Sequence, residues 1–373
     1  MSPFSKIKIG NERYPALTGV RAFGAIVVYF DHFPLQADSR ITLNVLAFFF
    51  ALSGFLIVRI YYEQAKLKFQ WLAKYFVNRF ARIYPVYFLL LTLAVCIKHD
   101  YGPWVLLANY TLLHALVHGV AFVIQPSWSL TVEECFYSMA PIFMILARAY
   151  NFLAPFALGC ALLLVALMVS KLGIGLLETP KFVLSTTFFG HFVEFFVGVF
   201  LALLVIKREK QGSVRSRGYT CTMAGLAGVF LLAIAMIGVY SRDPLNFPAV
   251  TLINNFLIPF PIAVLYWGLI REDTILSRLL SSNVAGLLGR GSYSFYLLHT
   301  LVINHIGIPL LRSTNGWRPL YVVLTLVLAW CISILLFMGF EEPVNGYIRG
   351  KFRSMDARAE SRRTDRIAGH RIV

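Results

Sequence analysis

Apolar residues occur along this chain in long runs, which short polar and basic stretches separate. A run of roughly 20 apolar residues is the length that a helix needs to cross the hydrocarbon core of a bilayer. The pattern predicts ten membrane-spanning helices, near residues 15–37, 41–60, 83–98, 129–147, 152–170, 182–206, 219–240, 249–270, 284–308 and 319–340. The expected fold class is therefore an all-α integral membrane protein of about ten transmembrane helices.

Two further stretches are helical or apolar without fitting a span. Residues 103–124 are apolar but interrupted by Asn109, His114 and His118, so we expect a re-entrant or interfacial segment there. In residues 66–82, apolar side chains recur at helical spacing, and Lys74 and Asn78 lie on another side. This second stretch predicts a separate helix lying in the headgroup plane before the third span.

Composition agrees with a membrane location and a single polytopic unit. Hydrophobic residues make up 58% of the chain and charged residues only 14%, against about 25% charged in soluble domains. The five cysteines form no CxxC pair, which favours small buried side chains over a metal or disulfide framework. We divide the chain into a membrane domain, 1–345, and a basic tail, 346–373.

The net charge of +16 is explained by topology better than by nucleic-acid binding. If both termini are cytoplasmic and 103–124 does not span, most of the 34 lysines and arginines fall on the inner face. That distribution follows the positive-inside rule. A full span at 103–124 would invert everything after it and put the basic 207–217 loop outside.

Ionisable side chains inside spans are costly, and three groups of them are candidate functional sites. Arg21 and His32 are eleven residues apart, so they share one face of the first helix, about 16 Å apart along its axis. The alternative is a structural arginine in an ion pair and a hydrogen-bonded histidine near the interface.

The second group is Glu133 and Glu134, in the sequence Trp128-Ser129-Leu130-Thr131-Val132-Glu133-Glu134. Adjacent helical residues point about 100° apart, so these carboxylates cannot both face one partner. The third group is Arg79 and Arg82, whose guanidinium groups at the inner mouth of span three suit phosphate. The plain alternatives remain a helix-dipole role for the two glutamates and ordinary positive-inside flanking for the two arginines.

Several other chemistries find little or no support in the sequence. No G-x-S-x-G, HExxH or Walker motif is present. His114 and His118 have the i, i+4 spacing of metal ligands, but no carboxylate or cysteine accompanies them. We therefore expect no metal site and no nucleic-acid partner.

The motifs, taken in order, resemble acyltransferase family 3. Leu17-Thr18-Gly19-Val20-Arg21 through His32 is similar to the family's opening signature, and Phe49 to Ile57 to its second-span motif. Arg79 to Pro85 resembles its RxxR element and Trp128 to Tyr137 its WSLxxEExFY motif. Ser292 to His299 is similar to the late SYSxYLxH stretch, and Glu342-Pro343 to the closing acidic-proline element.

The resemblance implies a multi-pass enzyme of the bacterial cytoplasmic membrane that O-acylates a sugar-containing acceptor. It implies acyl-CoA, usually acetyl-CoA, as donor co-substrate, with no tightly bound cofactor; membrane lipids surround the protein, and self-association is left open. The donor-binding residues that we expect are Arg79, Arg82, Tyr84, Trp128, Ser129 and Tyr137, with the arginine pair at the cytoplasmic mouth and the Trp128 motif on the outer side, as His32 is. The catalytic candidates are Arg21, His32, Glu133 and Glu134.

In the mechanism that we expect, His32 is the general base for the acceptor hydroxyl, and Glu133 or Glu134 fixes its tautomer. An acyl-histidine intermediate remains open. The rival function from another class is a glycolipid transporter or flippase, because intramembrane charges alone would suit it equally. Acyl-CoA binding at the inner face would separate the two.

Overall fold

The computed structural model describes residues 13–33, 41–98, 100–172, 177–212, 216–242, 247–313 and 318–369. Within these ranges the chain forms sixteen α-helices: α1 Pro15–His32, α2 Ile41–Tyr61, α3 Phe69–Ile97, α4 Pro103–Tyr110, α5 Trp128–Ala149, α6 Leu153–Val169, α7 Pro180–Thr186, α8 Phe188–Lys210, α9 Thr220–Arg242, α10 Phe247–Thr251, α11 Pro259–Arg271, α12 Ile275–Leu280, α13 Asn283–Val302, α14 Ile308–Ser313, α15 Arg318–Leu336 and α16 Glu342–Gly369. Three π-helical turns join consecutive helices: Leu252–Leu257, Ile303–Gly307 and Phe337–Glu341.

The predicted all-α integral membrane fold is confirmed. In the described residues, eight helices are long and apolar enough to cross a membrane. Every predicted span overlaps a helix, but two fall short of that criterion. The helix α6 has only 17 residues, and the 18-residue α1 carries the polar Arg21, Asp31 and His32.

Residues 103–124 do not form a spanning helix, as predicted. The helix α4 has eight residues, and a 3₁₀ turn and irregular chain follow it. The buried side chain of Asn109 donates to the carbonyls of Val105 (2.8 Å) and Ala121 (2.9 Å) and accepts from the amide of Val123 (3.1 Å). One amide group thus holds the returning chain against the short helix.

The predicted interfacial helix at 66–82 is wrong as a separate element. The single helix α3 runs without a break from Phe69 to Ile97, 29 residues, or about 43 Å at 1.5 Å per residue. Tyr75 lies in its first part, is buried, and donates a hydrogen bond to the Tyr137 carbonyl (2.9 Å). Packing against α5 therefore holds this part of the helix to the bundle.

Glycine allows the close packing of α2 against α8. A Cβ on Gly198 would lie 1.9 Å from the Ala51 carbonyl oxygen, and one on Gly54 would lie 2.1 Å from that of Phe195. The helix α1 packs against α2 and also against α13. These contacts bring polar residues of α1, α2, α5 and α13 together in the middle of the bundle.

Candidate active site

Five arginines from four helices line one cavity of about 390 Å³. They are Arg21 of α1, Arg79 and Arg82 of α3, Arg290 of α13 and Arg349 of α16. The sequence predicted the first three, and the structure brings them together. Guanidinium groups bind phosphate through paired N–H donors, so the chemistry of this cavity suits a polyanion.

Arg82 is held by a buried carboxylate. It forms an ion pair with Glu341, which is 1% exposed and whose second oxygen accepts from the Ser294 hydroxyl (2.6 Å). Glu341 precedes the Glu342-Pro343 pair that the sequence singled out, and sequence analysis gave it no role. The ion pair fixes Arg82 in the cavity wall, since both carboxylate oxygens are occupied.

Arg79 has a different environment from Arg82. Its guanidinium carbon lies 5.7 Å from the ring centroids of both Tyr61 and Tyr137, within the range of cation–π interaction. Its Nε atom is buried and has no hydrogen-bond partner among the described residues. The two arginines of the predicted fork thus share a cavity, Arg82 in an ion pair with Glu341 and Arg79 between two tyrosine rings.

Glu133 also lines the arginine cavity, beside Ser53 and Tyr137. Its carboxylate accepts hydrogen bonds from the Ser53 hydroxyl (2.7 Å) and from the Tyr137 hydroxyl (3.2 Å). Glu134 points elsewhere, as the helix geometry predicted, and its Oε1 is buried without a partner among the described residues. Glu133 is therefore the carboxylate that faces the cavity.

His32 lies at the end of α1 and contacts α13. Its Nδ1 is 2.9 Å from the Val28 carbonyl oxygen, so Nδ1 carries a proton and donates it. Nε2 of His299 lies 3.4 Å from the same Nδ1, while Nδ1 of His299 is 3.2 Å from the Phe295 carbonyl. Both carbonyls require an N–H, which leaves Nε2 of a neutral His32 as an unprotonated acceptor.

The expected support of His32 by Glu133 or Glu134 does not occur in the structure. Both oxygens of Glu133 are taken by Ser53 and Tyr137, and His32 is held by Val28 and His299. The sequence pattern could not show this, because it fixes the faces of single helices and not which helices pack together. His299 was visible in the SYSxYLxH stretch, but its partner was not.

Of the remaining predicted donor residues, Ser129 lines a neighbouring cavity that shares Arg21 and Glu133 with the arginine cavity. Its hydroxyl is 2.7 Å from that of Tyr296, and both line a small cavity of about 50 Å³ together with Arg21 and Glu133. Trp128 lies instead against His191, with ring centroids 5.7 Å apart. Tyr84 stacks on Phe80 (4.9 Å between centroids) and does not line the arginine cavity.

The histidine pair with metal-ligand spacing does not converge. His114 contacts the Ser127 hydroxyl (3.1 Å), and His118 pairs with Glu178 (2.5 Å). Burial lowers the pKa of His114 to about 4, so this side chain is neutral at physiological pH. Among the residues that the structure describes, no cluster of three or more metal-binding side chains occurs.

Comparison with known proteins identifies the family of this chain. The sequence profile of a family described as "Acyltransferase domain", Acyl_transf_3, matches residues 14–337. Acyltransferase MdmB of Streptomyces mycarofaciens is 26% identical over 331 residues, which cover 79% of this chain and 80% of MdmB. No solved structure matches the chain.

Two longer relatives are also similar to this chain. Peptidoglycan O-acetyltransferase OatA of Listeria monocytogenes is 24% identical over 90% of this chain and 56% of its own length. O-acetyltransferase OatA of Staphylococcus aureus is 23% identical, over 90% and 58%. The chain thus spans little more than half the length of either. Since the family profile covers most of the chain, the protein belongs to acyltransferase family 3 and is a multi-pass membrane acyltransferase.

Proposed function

We propose that this protein moves an acetyl group from acetyl-CoA, bound in the arginine cavity, to a hydroxyl of a sugar-containing acceptor. The observation that carries the proposal is the cavity itself, with five guanidinium groups and one carboxylate, Glu133, among its lining residues. Acyl-CoA carries three phosphate groups at one end of a long flexible arm. Charge-assisted contacts from several arginines match that end.

The order of residues along the bundle supports a path for the arm. The arginine cavity and the small cavity share lining residues, among them Arg21 and Glu133, and the small cavity extends from there to Ser129 and Tyr296. The Tyr296 ring is 6.0 Å from that of His299, which contacts His32. A thioester that reaches past Tyr296 would come to the histidine pair.

In the proposed reaction His32 is the general base. Its Nε2 removes the proton from the acceptor hydroxyl as the oxygen attacks the thioester carbon. The carbon–sulfur bond then breaks, and the CoA thiolate takes up the proton that His32 had accepted, which restores the neutral base. Bonds to Val28 and His299 keep Nδ1 protonated, so that Nε2 presents its lone pair. Glu133 serves the donor side, where it orients Ser53 and Tyr137 in the cavity wall.

The acceptor class and the location rest on the relatives and on charge. One relative is named for O-acetylation of peptidoglycan, a glycan, which supports a sugar hydroxyl as acceptor. The bacterial relatives support the inner membrane as location, and the excess of lysine and arginine in alternate loops supports both termini in the cytoplasm. The donor would then enter from the cytoplasmic side.

The test measures donor binding and product separately. Acetyl-CoA should bind the purified protein in calorimetry, and cells that contain the gene should show O-acetylated surface glycans by mass spectrometry that cells without it lack. The variant His32→Gln should bind acetyl-CoA normally and leave the glycans unmodified. Absence of acetyl-CoA binding would overturn the proposal and favour the transporter function, which needs no acyl donor.

A further inference from the structure

The helix that follows the last span forms part of the cavity wall. Beyond the π-helical turn Phe337–Glu341 the chain continues as α16, and two of its residues, Asn345 and Arg349, line the arginine cavity. The family profile ends at residue 337, before either of them. Arg349 also lies past the boundary at 345 that the sequence suggested between membrane domain and tail.

Two contacts fix α16 along α3 in antiparallel order. Near its start, Glu341 pairs with Arg82; farther along, Nη2 of Arg349 donates to the Asn78 carbonyl (3.2 Å). Arg349 comes eight residues after Glu341, which is about 12 Å along the axis. Arg349 therefore meets α3 at Asn78, one helical turn before Arg82, so the two arginines stand at different levels of the cavity wall.

Arg349 is available to a ligand. It forms no ion pair with any described side chain, and its Nε atom is buried without a hydrogen-bond partner. The nearby Asn345 Oδ1 is likewise buried and unpartnered within the described part of the chain. Buried polar groups without partners are costly, so their presence at a cavity wall indicates a place for a polar ligand.

The shape of the donor decides which group meets Arg349. Acyl-CoA must enter with its thioester leading, because the reaction takes place beyond Arg21. The end that remains at the entrance of the cavity, farthest from the reaction, is the adenosine with its 3′-phosphate. We propose, resting on acyl-CoA as the donor, that Arg349 binds this 3′-phosphate and so determines the preference for acyl-CoA over its 3′-dephospho form.

The experiment compares two donors on three proteins. Affinities of acetyl-CoA and of 3′-dephospho-acetyl-CoA are measured by calorimetry for the wild type, Arg349→Gln and Arg353→Gln. Arg353 is one turn farther along α16, exposed, and outside the cavity lining, so it controls for loss of one positive charge. Calorimetry of the dephospho donor also reports whether each variant is folded.

The expected result is a loss of discrimination. Wild type and Arg353→Gln should bind acetyl-CoA about tenfold more tightly than the dephospho donor, as one charge-assisted phosphate contact allows. Arg349→Gln should bind acetyl-CoA as weakly as the dephospho donor, whose affinity it should leave unchanged. Equal weakening of both donors would overturn the role of Arg349 while leaving the proposed function intact. Failure of the wild type to bind acetyl-CoA would overturn both.

Discussion

His32 and His299 face each other across the contact between α1 and α13, with Nε2 of His299 3.4 Å from Nδ1 of His32. Their ring centroids are 5.0 Å apart, and the His299 ring is stacked on Phe295. His299 is completely buried, so its ring has little freedom to turn. It can therefore hold the orientation of the half-buried His32.

Replacing His32 tests whether this residue is the general base or has only a structural role. We expect His32→Ala and His32→Gln each to lower the transfer rate by about 10²–10⁴, because neither side chain can accept the proton. Acetyl-CoA affinity and thermal stability should stay close to wild type in the Gln variant. A folded His32→Gln protein that still acetylates its acceptor at a near-normal rate would remove His32 from the mechanism.

Replacing His299 tests positioning. In His299→Leu the Nδ1–H of His32 keeps only the Val28 carbonyl, so kcat should fall about tenfold while the KM for acetyl-CoA is unchanged. His299→Gln retains an acceptor and should recover most of the rate. A purely structural role predicts otherwise: both variants would lose melting temperature together, and the Gln side chain would not restore kcat selectively.

The Arg82–Glu341 pair allows stability and donor binding to be separated. Arg82→Ala leaves the buried carboxylate of Glu341 unpaired, which costs about 3–5 kcal/mol. The double variant Arg82→Ala/Glu341→Gln should regain most of the lost melting temperature but not the lost acetyl-CoA affinity. If restoring stability also restores donor affinity, Arg82 acts only through the fold.

The glycine contact between α2 and α8 predicts a stability effect with a functional readout. Gly198→Ala should destabilise the protein by about 1–3 kcal/mol, because the new Cβ would overlap the Ala51 carbonyl. Since Ser53 is two residues from Ala51, acetyl-CoA affinity should fall as well. The matched control is Gly238→Ala in α9, where no atom lies within 4 Å of the added Cβ; melting curves of both variants check the prediction.

The proposed topology can be tested by labelling single cysteines in a background without the five natural ones. A cysteine at Lys210 should react only after the membrane is made permeable, whereas one at Lys171 should react from outside in intact cells. The physical reason is the positive-inside distribution of the basic loops. Protection of the Lys171 position in intact cells would contradict the topology on which the donor side rests.

Much of the fold follows from the sequence because spanning length is a local property. The positions of the ten apolar runs and the folded-back 103–124 segment needed only hydropathy and polar interruptions. The sequence does not predict that α3 is continuous. Its pattern changes near residue 83 from amphipathic to uniformly apolar, which is typical of two separate elements. Nothing in the local pattern showed that Tyr75 would be buried against α5.

The sequence predicted which residues form the site better than it predicted which residues contact each other. Arg21, Arg79, Arg82 and Glu133 do share a cavity, since charged side chains inside a bundle converge away from lipid. The partners of His32 and Arg82, namely His299 and Glu341, are 267 and 259 residues away in the chain. Such pairings depend on which helices pack together, and a single sequence does not encode that in its spacing.

The hydrogen bonds among Ser129, Tyr296 and the Pro126 carbonyl have a consequence for the permeability of the membrane. Ser129 and Tyr296 line the small cavity of about 50 Å³ that adjoins the arginine cavity at Arg21 and Glu133. A continuous column of water from the arginines to His32 would conduct protons and small ions across the bilayer. If the donor follows the proposed path, these hydrogen bonds must open to admit the thioester and re-form after it leaves, so that the bilayer stays electrically insulating between turnovers.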